Sequence, residues 1–150
     1  MNPRYLPKQL TRKDRKRQMN MIQKSRRLYK KKQYFSRKKV PSFHSKKSKH
    51  ILHAEKIYGI TSIRPDKTLA KKTGCSISAL KKIVNKGEGA YYSSGSRPNQ
   101  TAQSWGLARL ASAITSGNAA TVDFHILEKG CDHNKTAYKL ALKNKNKNKK

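Results

Sequence analysis

Apolar residues are distributed unevenly along the chain and fall mainly between residues 57 and 142. Residues 1–49 contain few large aliphatic side chains and bury too little apolar surface to offset the entropy of ordering them. The pattern predicts an arm over residues 1–49 that is disordered alone or folds on a partner. A small core domain follows over 50–142, and a Lys/Asn tail over 143–150.

One long helix is predicted within the arm, over residues 12–34. Thr11 can cap its N-terminus, Asp14 lies in the first turn where a carboxylate is favoured, and neither Gly nor Pro interrupts the segment. Its apolar side chains form only a thin stripe, and a helix that is polar nearly all round is not stable alone. Residues 35–49, which include Pro41, are predicted to be extended.

Residues 65–86 carry the clearest local pattern. A short helix over 68–73 is predicted to end at Gly74, and Ser76 to cap a second helix over 77–85. Small and apolar residues have the spacing of a helix-turn-helix, in which the second helix offers side chains to a DNA groove. These candidate groove contacts are Ser76, Ser78, Lys81 and Lys82. An αα-hairpin with the same packing and no DNA contact remains open.

Strands are predicted at two places. Residues 90–93 form a possible short strand, and Val122, Phe124 and Ile126 alternate with their neighbours within residues 120–127. Helices are predicted over 50–58, 102–116 and 134–142. The predicted fold class is therefore α+β, a mostly helical small domain with two or three short strands.

The net charge says more about the protein's partners than any of these motifs. Thirty-seven Lys and Arg stand against seven Asp and Glu, a formal charge of +30. Residues 1–50 hold nineteen of these cations and one acid, and the last eight residues hold five cations. A charge this large repels itself unless polyanions or acidic protein surfaces neutralise it.

Most of the arm's cations are predicted to contact a partner or a polyanion. These are Arg12, Lys13, Arg15, Lys16, Arg17, Arg26, Arg27, Lys30, Lys31, Lys32, Arg37, Lys38 and Lys39. Apolar residues between the cations are predicted to be docking anchors in pockets of a neighbour. These are Tyr5, Leu6, Tyr34, Phe35 and Phe43.

The loop SSGSRPNQT is a candidate contact for an anion or a partner, because a guanidinium beside loop amides can cradle a phosphate or carboxylate. Its candidate residues are Ser94, Ser96, Arg97 and Asn99. A polar loop that satisfies its own backbone is the alternative. One of the adjacent Tyr91 and Tyr92 can stack on a base, since neighbours in a strand point to opposite faces.

Side chains with the spacing of a catalytic or metal site are not apparent. The carboxylates are unpaired in sequence, His50 and His53 lack a third ligand, and Cys131 and His133 have unsuitable spacing. We therefore predict no enzymatic activity, no metal, no cofactor and no small-molecule substrate.

The remaining features concern compartment and membrane. Cys75 and Cys131 do not make a disulfide framework, and two free thiols in a reducing compartment are expected. Neither a signal peptide nor an apolar run long enough to span a membrane is apparent. A basic segment can touch an anionic membrane, although the arm lacks the apolar face of an interfacial helix.

The segment GAYYSSGSRPNQTAQSWGLARLASAITSGNAATVDFHILEKGC, residues 89–131, resembles an uncharacterised domain of small basic proteins from large nucleocytoplasmic DNA viruses, chlorella-virus-like ones among them. YLPKQLTRKDRKRQ, SRRLYKKKQYFSRKKVPSF and SKKSKHILHAEKIYGI are similar to the N-terminal part of the same proteins. The resemblance implies a virion component and carries no catalytic residues.

Two functions follow as expectations. The first is a minor capsid protein of a large DNA virus that is made in the host cytoplasm. It would lie on the inner side of the shell and bind other capsid proteins through its arm. The alternative is a protein that packages or organises viral DNA through contacts to phosphates. Both use the same cations, and they do not exclude each other.

Overall fold

Helices account for nearly all the regular secondary structure of residues 1–148, the part of the chain that the computed structural model describes. A 3-10 turn over Pro3–Tyr5 comes first. The α-helices that follow are α1 (Arg12–Tyr29), α2 (Lys49–Tyr58), α3 (Lys67–Thr73), α4 (Ile77–Ser93), α5 (Ala102–Ala113), α6 (Asn118–Val122), α7 (Phe124–Gly130) and α8 (Thr136–Asn148).

The predicted α+β class is wrong, because the described residues form no sheet and both predicted strands are helical. Residues 120–127 lie in α6 and α7. Ala120, Phe124 and Leu127 are buried at the i, i+4, i+7 spacing of a helix, whereas Val122 of the supposed inner face is 63% exposed. Over only eight residues, the alternating apolar pattern of a strand and the three-to-four-residue spacing of a helix cannot be distinguished.

Residues 90–93, the other predicted strand, are the last turn of α4. The helix runs on through Gly87 and Gly89, beyond residue 85, where the second helix of the pair was predicted to end. A Cβ atom on Gly87 would lie 2.5 Å from the Cα of Gly106, on α5. Gly87 is thus present because two backbones approach closely, and not because the chain turns there.

Two alanine substitutions in α4 are expected to change stability in opposite directions. Gly87→Ala should lower the free energy of unfolding by about 1–3 kcal/mol, because its Cβ meets backbone that cannot move freely. Gly89→Ala should raise it by about 0.5–1 kcal/mol, because its nearest neighbour would be the Tyr29 hydroxyl at 4.0 Å. Urea unfolding followed by circular dichroism measures both. Equal effects of the two variants would contradict the close approach at Gly87.

Local signals located several helix ends correctly. The predicted pair of helices is confirmed as α3 and α4: Asp66 accepts a hydrogen bond from the Leu69 amide, and Gly74 ends α3 at φ +83°. Helix α1 begins as predicted, with the Thr11 hydroxyl accepting from the Asp14 amide, but it ends at Tyr29. Helix α8 extends through residues 143–148 of the predicted tail. Residues 149 and 150 lie outside the described residues.

The chain divides into two compact units, which are described separately. Unit 1 comprises Met1–Lys46 and Glu88–Trp105, and unit 2 comprises Lys47–Gly87 and Gly106–Lys150. This division differs from the predicted arm, core and tail. The residues expected to form an arm share unit 1 with the end of α4 and the loop that follows it.

Unit 1 compensates for its few apolar side chains with hydrogen bonds. Ile22 and Tyr91 are buried, and beside them the Gln18 side chain donates to the Ser96 carbonyl at 3.3 Å. The Ser25 hydroxyl donates to the Tyr92 carbonyl at 2.9 Å. The partner on which the arm folds is therefore a segment of the same chain, residues 88–105.

Unit 2 has the larger apolar core. Leu80, Leu110, Ile114 and Leu127 are fully buried there, and each such side chain contributes about 1.5–3 kcal/mol on burial. The Tyr58 hydroxyl donates to the Ile114 carbonyl at 2.5 Å. Burial raises the pKa of Tyr58 above its usual value, so this hydroxyl keeps its proton and the bond.

Candidate nucleic-acid interface

The exposed side of α1 is a continuous band of cations within unit 1. Helical geometry places the exposed residues of this helix before Tyr29 within about 140° of its circumference. Only Asn20 and Gln23 interrupt the charged positions of this band before Tyr29 ends the helix. The α1 cation face consists of Arg12, Lys13, Lys16, Arg17, Lys24 and Arg27.

The buried side of α1 explains why the cations face outward. Asp14, Gln18, Ile22 and Ser25 are buried on the opposite side at spacings of three and four residues. The Asp14 carboxylate accepts from the Ser42 amide at 2.9 Å, and hydrogen bonds from Ser42 hold the pKa of Asp14 below its usual value. Asp14 is thus an ionised acid committed to the unit's own structure.

Few acids balance these cations. Unit 1 contains eighteen Lys and Arg against Asp14 and Glu88, a formal charge of +16. In the described part of the chain, the cations paired with carboxylates are Lys47, Lys86 and Arg109, which all belong to unit 2. Among the described residues, the cations of unit 1 are therefore not paired with a carboxylate in a salt bridge.

Three arginines predicted as external contacts hold unit 1 together instead. Arg15 donates to the carbonyls of Leu6 and Pro7, and Arg26 donates to the Ser94 carbonyl at 2.7 Å. The other ten predicted arm contacts are exposed. They are Arg12, Lys13, Lys16, Arg17, Arg27, Lys30, Lys31, Lys32, Lys38 and Lys39.

Arg37 is the third of these arginines. Its guanidinium lies 3.8 Å from the centre of the Tyr91 ring and donates to the Tyr91 carbonyl and to the hydroxyls of Ser25 and Ser96. Burial lowers the pKa of Arg37, and the group remains charged because arginine starts so high. A half-buried guanidinium that uses three of its five N–H donors within the unit is a structural element, with few donors left for a ligand.

The loop candidates separate into internal and exposed residues. Ser96 is buried and donates to the Arg97 carbonyl, and the Asn99 side chain bonds the backbone of Val40 and Phe43. The Ser96 bond matches the alternative in which the loop satisfies its own backbone, whereas Asn99 bonds a different segment of unit 1. Ser94 and Arg97 are exposed.

The predicted docking anchors also separate. Tyr5 is buried, and its ring packs edge-on against Trp105 at 6.4 Å between centroids. Leu6, Phe35 and Phe43 are half-buried. Tyr34 is 70% exposed. A buried Tyr5 has no surface to offer a neighbour, so it is an anchor within the unit.

Unit 2 has a cleft of about 510 Å³ between α4 and α7. Of the four residues predicted to contact a DNA groove, three line this protein cleft: Ser76, Ser78 and Lys82. Lys81 is exposed and lies outside the lining, and Lys86, Lys129 and His125 line the cleft as well. Its lysines and its two serine hydroxyls suit a phosphate.

Sequence reasoning missed a buried ion pair in unit 2. Asp123 is fully buried and accepts two hydrogen bonds of 2.8 Å from Arg109, at Nε and at one terminal nitrogen. This bidentate bond raises the pKa of Arg109. Arg109 lies on α5 and Asp123 between α6 and α7. The spacing of the two residues in the sequence does not indicate that they pair.

The expectation of two free thiols is also wrong. Cys75 and Cys131 are joined by a disulfide. Two backbone hydrogen bonds flank it, from the Ser76 amide to the Gly130 carbonyl and from the Asp132 amide to the Gly74 carbonyl. The argument for a reducing compartment from two free cysteines therefore has no basis.

Across residues 1–148, His, Cys, Asp and Glu side chains do not come together in groups of three or more that suit a metal ion. None of the helices in this range is long and apolar enough to cross a membrane.

The fold and its surfaces define a class: a small basic protein, helical through its described residues, with cation-rich surfaces. A model of a family of unknown function (DUF5824) matches residues 3–147, and the chain belongs to that family. No curated protein and no solved structure matches the chain. The family description does not connect the chain with large DNA viruses.

Proposed function

We propose that the protein binds nucleic acid through the phosphate backbone, with the α1 cation face as its principal contact. The observation that carries the proposal is the charge of unit 1: eighteen cations against two acids, and ten of the predicted contact cations exposed. Lys and Arg that neutralise phosphates release bound counterions, which drives binding without sequence preference.

The shape of the face supports this proposal. From Arg12 to Arg27 the helix advances about 22 Å, which is the length of several phosphate spacings. The cations are held on a folded helix, so binding does not require this segment to be ordered. Basic residues on α1 contact phosphates, and positioning contacts of this kind carry no sequence information.

The test removes four charges from the face and four from elsewhere. The first variant replaces Lys13, Lys16, Arg17 and Arg27 with Gln, a good helix former that leaves the buried side of α1 unchanged. The matched control replaces the exposed residues Lys71, Lys72, Lys139 and Lys143 of unit 2 with Gln. Both variants lose the same net charge.

The α1 variant is expected to reduce the slope of log affinity for duplex DNA against log salt by about 3.6, at 0.9 for each lost phosphate contact. The control should change it by less than half as much. Fluorescence anisotropy with a random 16-base-pair duplex measures both slopes. Equal reduction by the two variants would show that net charge, and not the α1 face, determines binding.

A structural role in a virion shell is the second candidate. Exposure of Tyr34 and partial exposure of Phe35 and Phe43 favour it, because such side chains can dock in a neighbouring subunit. Acidic faces of capsid subunits would then take the place of phosphates. Retention in empty shells by a protein that fails to bind DNA at low salt would favour this role.

A further inference from the structure

We propose that Tyr29, Tyr34 and Tyr92 form a stacking site for the unpaired bases of single-stranded nucleic acid. The proposal rests on the proposed function, and it names the form of nucleic acid that unit 1 prefers. These three rings, called the tyrosine cluster below, come from the end of α1, the segment after it and the end of α4.

Tyr34 has the most exposed ring of the three in the cluster. The Tyr34 ring lies 6.1 Å from Tyr29 and 5.1 Å from Tyr92 between centroids, and Tyr92 in turn packs edge-on against Tyr91 at 5.0 Å. Tyr34 is 70% exposed, whereas Tyr91 is 1% exposed. Aromatic neighbours therefore support the Tyr34 ring from within the unit while much of the ring contacts solvent.

Tyr34 differs from the structural tyrosine beside it. The Tyr91 hydroxyl accepts from the Arg37 amide at 2.9 Å, and its ring lies beneath the Arg37 guanidinium. Within the described residues the Tyr34 hydroxyl makes no hydrogen bond, and its contacts are with other rings. An exposed aromatic ring held by packing offers a face on which any base can stack.

Charge around the cluster selects the ligand. Lys30, Lys31 and Lys32 precede Tyr34 in the chain, Lys38 and Lys39 follow it, and all five are exposed. The sequence has no Asp or Glu between Asp14 and Glu55. Exposed cations therefore flank Tyr34 in the sequence on both sides, which favours a phosphate backbone as ligand, although Glu88 lies one helical turn before Tyr92 on α4.

Single strands fit this combination and duplexes do not. Aromatic rings within a cationic surface are the usual means of binding single-stranded nucleic acid, and stacking is tolerant of sequence. In a duplex the bases are already stacked and paired, so a surface tyrosine cannot reach their faces. The α1 cation face serves both forms, and the tyrosine cluster adds affinity only for the single strand.

The experiment compares four probes with three proteins. The probes are a 12-nucleotide oligothymidine, the corresponding oligouridine, a 12-nucleotide abasic strand with the same phosphates, and a 12-base-pair duplex. The proteins are the full chain, Tyr34→Ala, and Tyr34→Phe, which keeps the ring. Because Tyr34 is exposed, neither substitution should affect folding, which circular dichroism checks.

Tyr34→Ala is expected to weaken binding to both single strands by about tenfold, and to leave the abasic strand and the duplex within twofold. Tyr34→Phe should bind like the unchanged protein. Equal weakening on all four probes, or no weakening on oligothymidine and oligouridine, would overturn the stacking site. Weakening on only one of these two strands would overturn a site shared by DNA and RNA. Failure of the unchanged protein to bind any probe would instead refute the proposed function.

Discussion

Loss of the disulfide between Cys75 and Cys131 is expected to lower the free energy of unfolding by about 4 kcal/mol. The two cysteines are 56 residues apart in sequence, and closing a loop of that length removes much of the entropy of the unfolded chain. The disulfide links the turn between α3 and α4 to the end of α7. These elements belong to unit 2, so the effect should concentrate there.

Urea unfolding with and without dithiothreitol measures this effect. The double variant Cys75→Ser, Cys131→Ser is the control, because it should have the lower stability in both conditions and no response to the reductant. A protein whose unfolding is unchanged by reductant, and in which a thiol reagent finds two free cysteines under native conditions, would contradict the disulfide.

Removal of Arg109 is expected to destabilise unit 2 by about 3–5 kcal/mol. Asp123 is fully buried, and Arg109→Ala leaves the Asp123 carboxylate with only the Lys86 ammonium, at 3.7 Å, as an ionic partner among the described residues. A buried charge without a bonded partner is costly. Lys86→Ala is the matched control: its side chain is 45% exposed, so it should cost less than about 1 kcal/mol.

The buried charge itself accounts for this loss, which a second substitution can show. Arg109→Ala combined with Asp123→Asn should recover part of the stability, because the remaining amide is neutral. Thermal and urea unfolding of the three variants give the comparison. Similar costs for Arg109→Ala and Lys86→Ala would contradict a buried, arginine-dependent carboxylate.

Elements with local signals could be predicted from the sequence. Thr11 and Asp14 place the start of α1, and Gly74 marks the end of α3, because caps and left-handed glycines act within a few residues. The strand predicted over residues 120–127 failed because eight residues are too few to separate a period of 2 from one of 3.6.

Long-range pairings could not be predicted in this way. The Ser25 hydroxyl bonds the Tyr92 carbonyl across 67 residues, so the folding of the arm depends on a segment distant in sequence. Likewise, Gly87 lies against Gly106, so its role within α4 cannot be inferred from neighbouring residues. The disulfide is of the same kind. A sequence with two cysteines gives no spacing that distinguishes a bonded pair from two thiols.

The candidate interface was predictable in composition and not in detail. The excess of cations over residues 1–50 indicates a polyanion or an acidic surface as partner. It does not show that Arg15, Arg26 and Arg37 are used within unit 1, since this depends on carbonyls and hydroxyls distant in sequence. The composition also does not predict that the rings of Tyr34 and Tyr92 lie close together.

The salt dependence of nucleic-acid binding by the unchanged protein is the first measurement to make, because it reports directly on contacts between the cations and phosphates. Affinity for a random 16-base-pair duplex is measured between about 50 and 200 mM NaCl, the range over which phosphate contacts weaken strongly. We expect a straight, steep decline of log affinity with log salt, with a slope of about 0.9 for each phosphate contact. Binding that is absent at the lowest salt, or that does not change with salt, would contradict it.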